Sequence, residues 1–196
     1  MNNVLKLDAQ IVPSNFEENL DKQKYSPSDY VIATALGKAR EVFDRLSAEN
    51  GRAPSLVVGV DTVIVRDDVV LEKPKSEAMA REMLSSLSGR EHTVRTGMVL
   101  IYAPAADESA PFVHTLVEIT TVSFATLTPE AIAAYVATGE PMDKAGAYGI
   151  QGLGGSFCSG ITGCYWNAVG FPMHRFCVEV DCNRLQSHVD KIRQNA

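Results

Sequence analysis

Hydrophobic and polar positions along this chain switch repeatedly between a helical and a strand period. Residues 26–46, SPSDYVIATALGKAREVFDRL, open with Ser26 as an N-cap and Pro27 at the first helical position. Apolar side chains at Ile32, Leu36, Ala39, Phe43 and Leu46 then make a helical stripe. Residues 55–65, SLVVGVDTVIV, are continuous and β-branched, the pattern of a buried strand. Arg66-Asp67-Asp68 turns the chain into a second short strand, VVLEKP. Residues 76–87 read as a helix with Met79, Met83, Leu84 and Leu87 inward, stopping at Gly89. Two long strands follow, 92–102 and 112–127, separated by a polar surface loop over 103–111. Thr128-Pro129 starts a helix that runs to Gly139. A short strand over 9–13, a hairpin around Thr162-Gly163 and a helix from Pro172 complete the reading. No repeat, low-complexity tract or linker interrupts it. This order predicts one α/β domain over residues 1–196, a mixed twisted β-sheet flanked by helices.

Composition narrows the function classes. At 196 residues, 45% hydrophobic and 21% charged, the chain can bury a core without a disulfide or metal staple. Its 18 Lys+Arg against 24 Asp+Glu give −6, which argues against a nucleic-acid partner bound through a basic face. One small anionic ligand held by a few local lysines stays compatible with that charge. No stretch reaches the ~18 apolar residues of a membrane span. MNNVLKLDAQ lacks the features of a secretory signal, so the expected location is the cytoplasm. Cys158, Cys164, Cys177 and Cys182 have no CxxC spacing, which disfavours zinc and leaves reduced structural thiols. About a hairpin at Thr162-Gly163, Ile161 would face Cys164, and Cys158 would lie too far down to pair with it.

Asp61 stands out. A carboxylate inside VVGVDTVIV costs several kcal/mol to bury unpaired. Gly59, two residues earlier on the same face, leaves room for something to approach the backbone. A capping or bulge role is the plainer account, but buried ionisable groups concentrate at sites. On local grounds Glu17 and Glu18 in VPSNFEEN, Lys38 in the first helix and Lys73 in LEKP all read as surface charges. GEPMDKAGAYGIQG, residues 139–152, is more specific. Gly146, Gly149 and Gly152 permit positive φ and close backbone approach, and successive free N–H groups could form an anion-binding nest. Gln151 offers both a donor and an acceptor, suited to one edge of a nucleobase. A flexible connection is the alternative. Neither GxxxxGK[ST] nor GxGxxG after a strand is present.

Taken together, GVDTVIV, LEKPKSEAMAREMLSSLSGREHTVRTG, GEPMDKAGAYGIQG and CYWNAVGFP, in this order, resemble the Maf family of nucleoside triphosphate pyrophosphatases. The resemblance runs over residues 11–176. It implies a cytoplasmic homodimer, related in fold to the inosine triphosphate pyrophosphatases. It implies hydrolysis of a nucleoside triphosphate to the monophosphate and pyrophosphate with a divalent cation, Mg²⁺ or Mn²⁺. The family's proton acceptor falls on Asp61, which could also order the water through the metal, and the next Thr falls on Thr62. The family's Glu after the second strand falls on Glu17, read as a metal ligand, its helix Lys on Lys38, and the Lys of its G-K-P motif on Lys73. Its Y-G-I-Q-G Gln falls on Gln151, marking the branch that acts on dTTP and UTP. Gln151 with the backbone of Gly149 and Gly152 would read the pyrimidine, while Lys38 and Lys73 neutralise the phosphates.

The family also opens with a strand and an S-x-S-x-R-R stretch that has no counterpart here. On this comparison the chain is N-terminally truncated relative to the family, and the arginines that grip phosphate bidentately are missing. The alternative function this raises is a catalytically impaired nucleotide-binding or interaction protein.

Overall fold

The computed structural model describes residues 9–103 and 110–181. Most of the predicted 103–111 loop, and Cys182, lie outside them. Helix α1 (Pro27–Asn50) leads into strands β1 (Leu56–Arg66) and β2 (Val69–Leu71), then helix α2 (Glu77–Leu87). The long strands β3 (Glu91–Tyr102) and β4 (Phe112–Phe124) follow, then α3 (Pro129–Val136) and β5 (Cys158–Thr162). Two helices, α4 (Tyr165–Val169) and α5 (Met173–Asp181), close the described chain. The strands form one sheet in the order β2-β1-β3-β4-β5, with helices on both faces.

Local chemistry explains the boundaries. Ser26 Oγ accepts from Asp29 N, and Pro27 occupies the first turn of α1. Ser76 and Thr128 cap α2 and α3 in the same way. Asp67 and Asp68 both adopt positive φ, 49° and 61°, the two-residue turn whose twist matches a tight antiparallel hairpin.

Several expectations change. Each strand pairing among the described residues is antiparallel, so the sheet shows no parallel neighbour there. Residues 9–13 form no strand. At the end of the segment Pro13 O instead accepts from Arg45 of α1 at 2.9 Å. Thr162-Gly163 makes no hairpin either. Gly163, at φ +118°, turns β5 directly into α4, and Thr120 Oγ1 holds the turn by accepting from Cys164 N and donating to Cys164 O. Met79 points outward, and Ala80 takes the buried position on α2.

The buried face of α1 is also rotated from the predicted stripe. Val31, Thr34, Ala35, Ala39, Val42 and Phe43 are buried, while Ile32, Leu36 and Leu46 sit on the flank. Glycines in the strands beneath cause this. A Cβ on Gly59 would lie 2.6 Å from Ala35 O and from Ala39 Cβ, and one on Gly97 would lie 2.6 Å from the Val31 carbonyl. The helix therefore rests its small side chains directly on strand backbone. Alternation along β1 then sends Asp61 to the α1 side and Thr62 to the opposite side.

Candidate active site

Close approach of α1 brings Lys38 over Asp61. Lys38 Nζ donates to Asp61 Oδ1 at 2.8 Å and pairs with Glu18 Oε1 at 2.9 Å. Burial pushes the Asp61 carboxyl above its ordinary value, against the pull of Lys38, and the charges of Glu18 and Glu72 add to the rise. Burial opposes the charge of Lys38 as well, but two carboxylate partners outweigh it and raise the ammonium above its usual range. Glu72 completes the group. It accepts from Tyr30 OH at 3.2 Å and pairs with Lys22 at 2.5 Å. Burial first, then Glu72, push Tyr30 up to about 12.

A separate cleft of about 520 Å³ opens on the other face of β1. Its walls include Thr62, Lys73, Tyr148, Gly149, Gln151 and Gly152. Thr62 Oγ1 bonds Thr96 Oγ1 at 2.9 Å. Lys73 is exposed at the end of β2, and its charge helps hold the Asp143 carboxyl low, after the hydrogen bond from Lys144. Tyr148 is anchored through its OH to His92 Nε2 at 2.8 Å. So Thr62, Lys73, Gly149, Gln151 and Gly152 come together, whereas Asp61 and Lys38 belong to the group behind the strand.

The glycine loop is not an empty nest. Glu140 Oε2 accepts from Leu153 N at 2.9 Å, and Oε1 accepts from Gly154 N at 3.1 Å and from Tyr135 OH at 2.9 Å. Although burial works in the other direction, these donors hold the Glu140 carboxyl below its ordinary value. A Cβ on Gly152 would sit 2.4 Å from Glu140 Oε1, so glycine is needed there to admit the carboxylate. The anion predicted for this loop is therefore supplied by the chain itself.

Glu17, the expected metal ligand, is exposed and accepts from Asn19 at 3.1 Å. Its neighbour Glu18 reaches Lys38 instead. The signal that separates them is period two in an extended segment: Val12, Ser14 and Phe16 are partly buried, and Glu18 continues that side. Phe16 packs against Gly37, one residue from Lys38. Glu72, Tyr135 and Glu140 were not singled out from sequence; a tyrosine five residues before a glutamate carries no motif of its own.

A model for the family described as "Maf-like protein" matches residues 1–181. The chain is 47% identical over 168 residues to a protein of Clostridium perfringens (strain 13 / Type A) named dTTP/UTP pyrophosphatase, covering 86% of this chain and 82% of that one. A protein of the same name from Moorella thermoacetica is 46% identical over 169 residues, covering 86% and 81%. A Homo sapiens protein named "Probable bifunctional dTTP/UTP pyrophosphatase/methyltransferase protein" is 43% identical over 176 residues. That stretch is 89% of this chain and only 28% of the human protein's length. The match spans both the Asp61 group and the cleft bearing Gln151, and the chain belongs to the Maf-like family.

Proposed function

We propose that this chain is a nucleoside triphosphate pyrophosphatase that hydrolyses dTTP and UTP to the monophosphate and pyrophosphate. The observation that carries the reading is a buried carboxylate–lysine group and a cleft of about 520 Å³ on either side of one strand, in a chain whose relatives bear that activity in their names. In this reading the nucleotide lies with its base over Gln151, Gly149 and Gly152, and its phosphates run past Lys73 toward Lys38 and Asp61. Among the described residues, β2 pairs with β1 only over residues 64–66. The outer edge of β1 beside Asp61 and Thr62 lies beyond that pairing, and in this reading the phosphates pass there between the two faces. Glu72 and Lys73, consecutive at that edge, serve one side each.

Asp61 accepts the proton of the attacking water as the water oxygen bonds the α-phosphorus. The bond from the α-phosphorus to the oxygen bridging it to the β-phosphorus breaks, and pyrophosphate departs with its charge balanced by Lys38 and Lys73. Thr62 Oγ1 borders the cleft where the sugar would lie.

Asp61 and Glu18 fit a hard divalent cation, Mg²⁺ or Mn²⁺, because their oxygens already converge on one cationic group, the Lys38 ammonium. When bound, the cation would neutralise phosphate charge and acidify water. No helix among the described residues is long and apolar enough to cross a membrane. We take the chain to act in the cytoplasm as a homodimer, with the nucleotide as its small-molecule partner and no nucleic-acid or membrane partner.

The test is hydrolysis of UTP and dTTP with Mg²⁺ in ¹⁸O-labelled water. The expected products are pyrophosphate and a monophosphate carrying the label. Orthophosphate release, or label in the pyrophosphate, would contradict attack at the α-phosphorus.

A further inference from the structure

The turn that presents Gln151 is held at both ends by a single side-chain pair. Gly152 N donates to Gly149 O at 3.2 Å, which makes residues 149–152 a β-turn with Gln151 at its third position. At the entry, Gly149 N donates to Tyr135 OH at 3.2 Å. At the exit, Leu153 N and Gly154 N donate to Glu140. Tyr135 OH then donates to Glu140 Oε1, so the two anchors are one hydrogen-bonded unit. That unit stands on firm ground. Tyr135 is 5% exposed, projects from α3 and packs edge-on against Phe157 at 5.0 Å. Glu140 follows in the 3-10 turn Glu140–Asp143, its backbone N donating to Thr138 Oγ1.

The glycines of the loop fit this device. A Cβ on Gly154 would lie 2.6 Å from Tyr135 OH, and one on Gly152 would overlap Glu140. A free-standing flexible loop needs neither exclusion. The fixed carboxylate also occupies the Leu153 and Gly154 amides, and its charge repels a phosphate. The carboxylate at the loop end of the cleft favours the neutral end of a nucleotide there.

We propose that Tyr135 and Glu140 are positioning residues for nucleobase recognition: they fix the Gln151 turn in the geometry that reads a pyrimidine and keep polyphosphate out of that end. This rests on the function proposed above. Tyr135 stands behind the cleft wall, and Glu140 borders the cleft but spends its carboxylate on Leu153 N, Gly154 N and Tyr135 OH, so their loss acts through KM and base discrimination more than through kcat.

Steady-state hydrolysis of UTP and CTP by the wild-type chain, Tyr135→Phe, Glu140→Gln and Glu140→Ala tests it, alongside amide hydrogen exchange without nucleotide. Glu140→Ala is expected to lower the UTP/CTP ratio of kcat/KM about tenfold, the worth of one well-placed hydrogen bond, mostly through KM. Tyr135→Phe should do the same in smaller measure. Glu140→Gln, which keeps one acceptor oxygen but turns its NH₂ toward a donor, should recover part of the ratio. A folded Glu140→Ala protein with the wild-type ratio overturns the inference and leaves the function standing. Amides of Leu153 and Gly154 that stay protected in Glu140→Ala overturn the clamp even if no nucleotide is hydrolysed.

Discussion

Packing beneath α1 sets the distance between Lys38 and Asp61, and Gly59→Ala tests that link. The added Cβ would stand 2.6 Å from both Ala35 O and Ala39 Cβ, where ordinary contact begins at 3.4 Å. Both obstacles are part of the helix wall, and neither is the end of a flexible chain. The helix must therefore rise by about 0.8 Å at this point. Overpacking of that kind costs about 1–3 kcal/mol, or roughly 2–12 °C in Tm for a domain of this size. Lys38 precedes Ala39, and Asp61 lies two residues from Gly59 on the same strand face. The rise thus falls on the 2.8 Å pair itself. A misplacement of about 1 Å at a reacting group can cost about 100-fold in rate. Thermal unfolding followed by circular dichroism, with pyrophosphate release from UTP, measures both effects. Gly160→Ala is the control, since its Cβ would meet nothing closer than 3.8 Å. A Gly59→Ala protein with wild-type Tm and kcat/KM within twofold of wild type would refute the argument that helix seating controls the site.

Two other outcomes follow from buried ionisable groups. Asp61→Asn should cut pyrophosphate release about 10²–10⁴-fold, the usual worth of a general base. Because the folded-state pKa of Asp61 is raised, its stabilising contribution exists below the unfolded value and is lost as pH rises through the folded value, so the fall in urea midpoint over that rise should be smaller in Asp61→Asn. Equal rates for the two proteins, or an unchanged pH dependence of the urea midpoint, would contradict this. His92 carries the opposite sign. Burial lowers it to about 4, so its contribution is complete above about 6.5 and disappears as pH falls toward 4, about 3 kcal/mol in all. Urea midpoints at pH 7 and pH 4 should therefore diverge less in His92→Gln, which keeps a polar partner for Tyr148 but cannot titrate; an unchanged divergence would exclude His92 as the source.

Elements announced by local chemistry were readable in sequence. The Ser26-Pro27 and Thr128-Pro129 starts, the Asp67-Asp68 turn and the two long strands all stand near their predicted positions. What failed depended on distant partners. The α1 stripe was misplaced because hydrophobicity favours Leu36 and Leu46, whereas Gly59 and Gly97 reward a face of small residues. Residues 9–13 have strand-like composition but bond to Arg45 on α1, a contact no window of sequence contains. Gly163 looked like a hairpin tip, and only Thr120, 43 positions earlier, decides that Cys164 instead begins a helix.

The candidate site is legible in residue type more than in arrangement. Asp61 was recognisable because a carboxylate in an apolar strand demands a partner, and Lys38 is that partner. Net charge told less. A charge of −6 argues against a nucleic-acid partner but leaves room for one small anion, and the carboxylates at the candidate site are each already engaged. Glu18 and Asp61 share Lys38, Glu72 has Lys22 and Tyr30, Asp143 has Lys144, and Glu140 has backbone amides and Tyr135. The field met by a nucleotide is set by these local pairings, with Lys73 exposed beside them, and not by the sum over the chain. The glycine loop makes the same point from the opposite direction. Its composition suggested a vacant anion nest, because free N–H groups are what glycine-rich turns offer. Glu140 lies only 12 residues before Gly152, but the two must fold back on each other before the carboxylate can fill the nest. Gln151 is consequently displayed on a turn bonded at both ends, and the proposed base reading depends on those bonds because ordering a loose turn on binding would cost affinity.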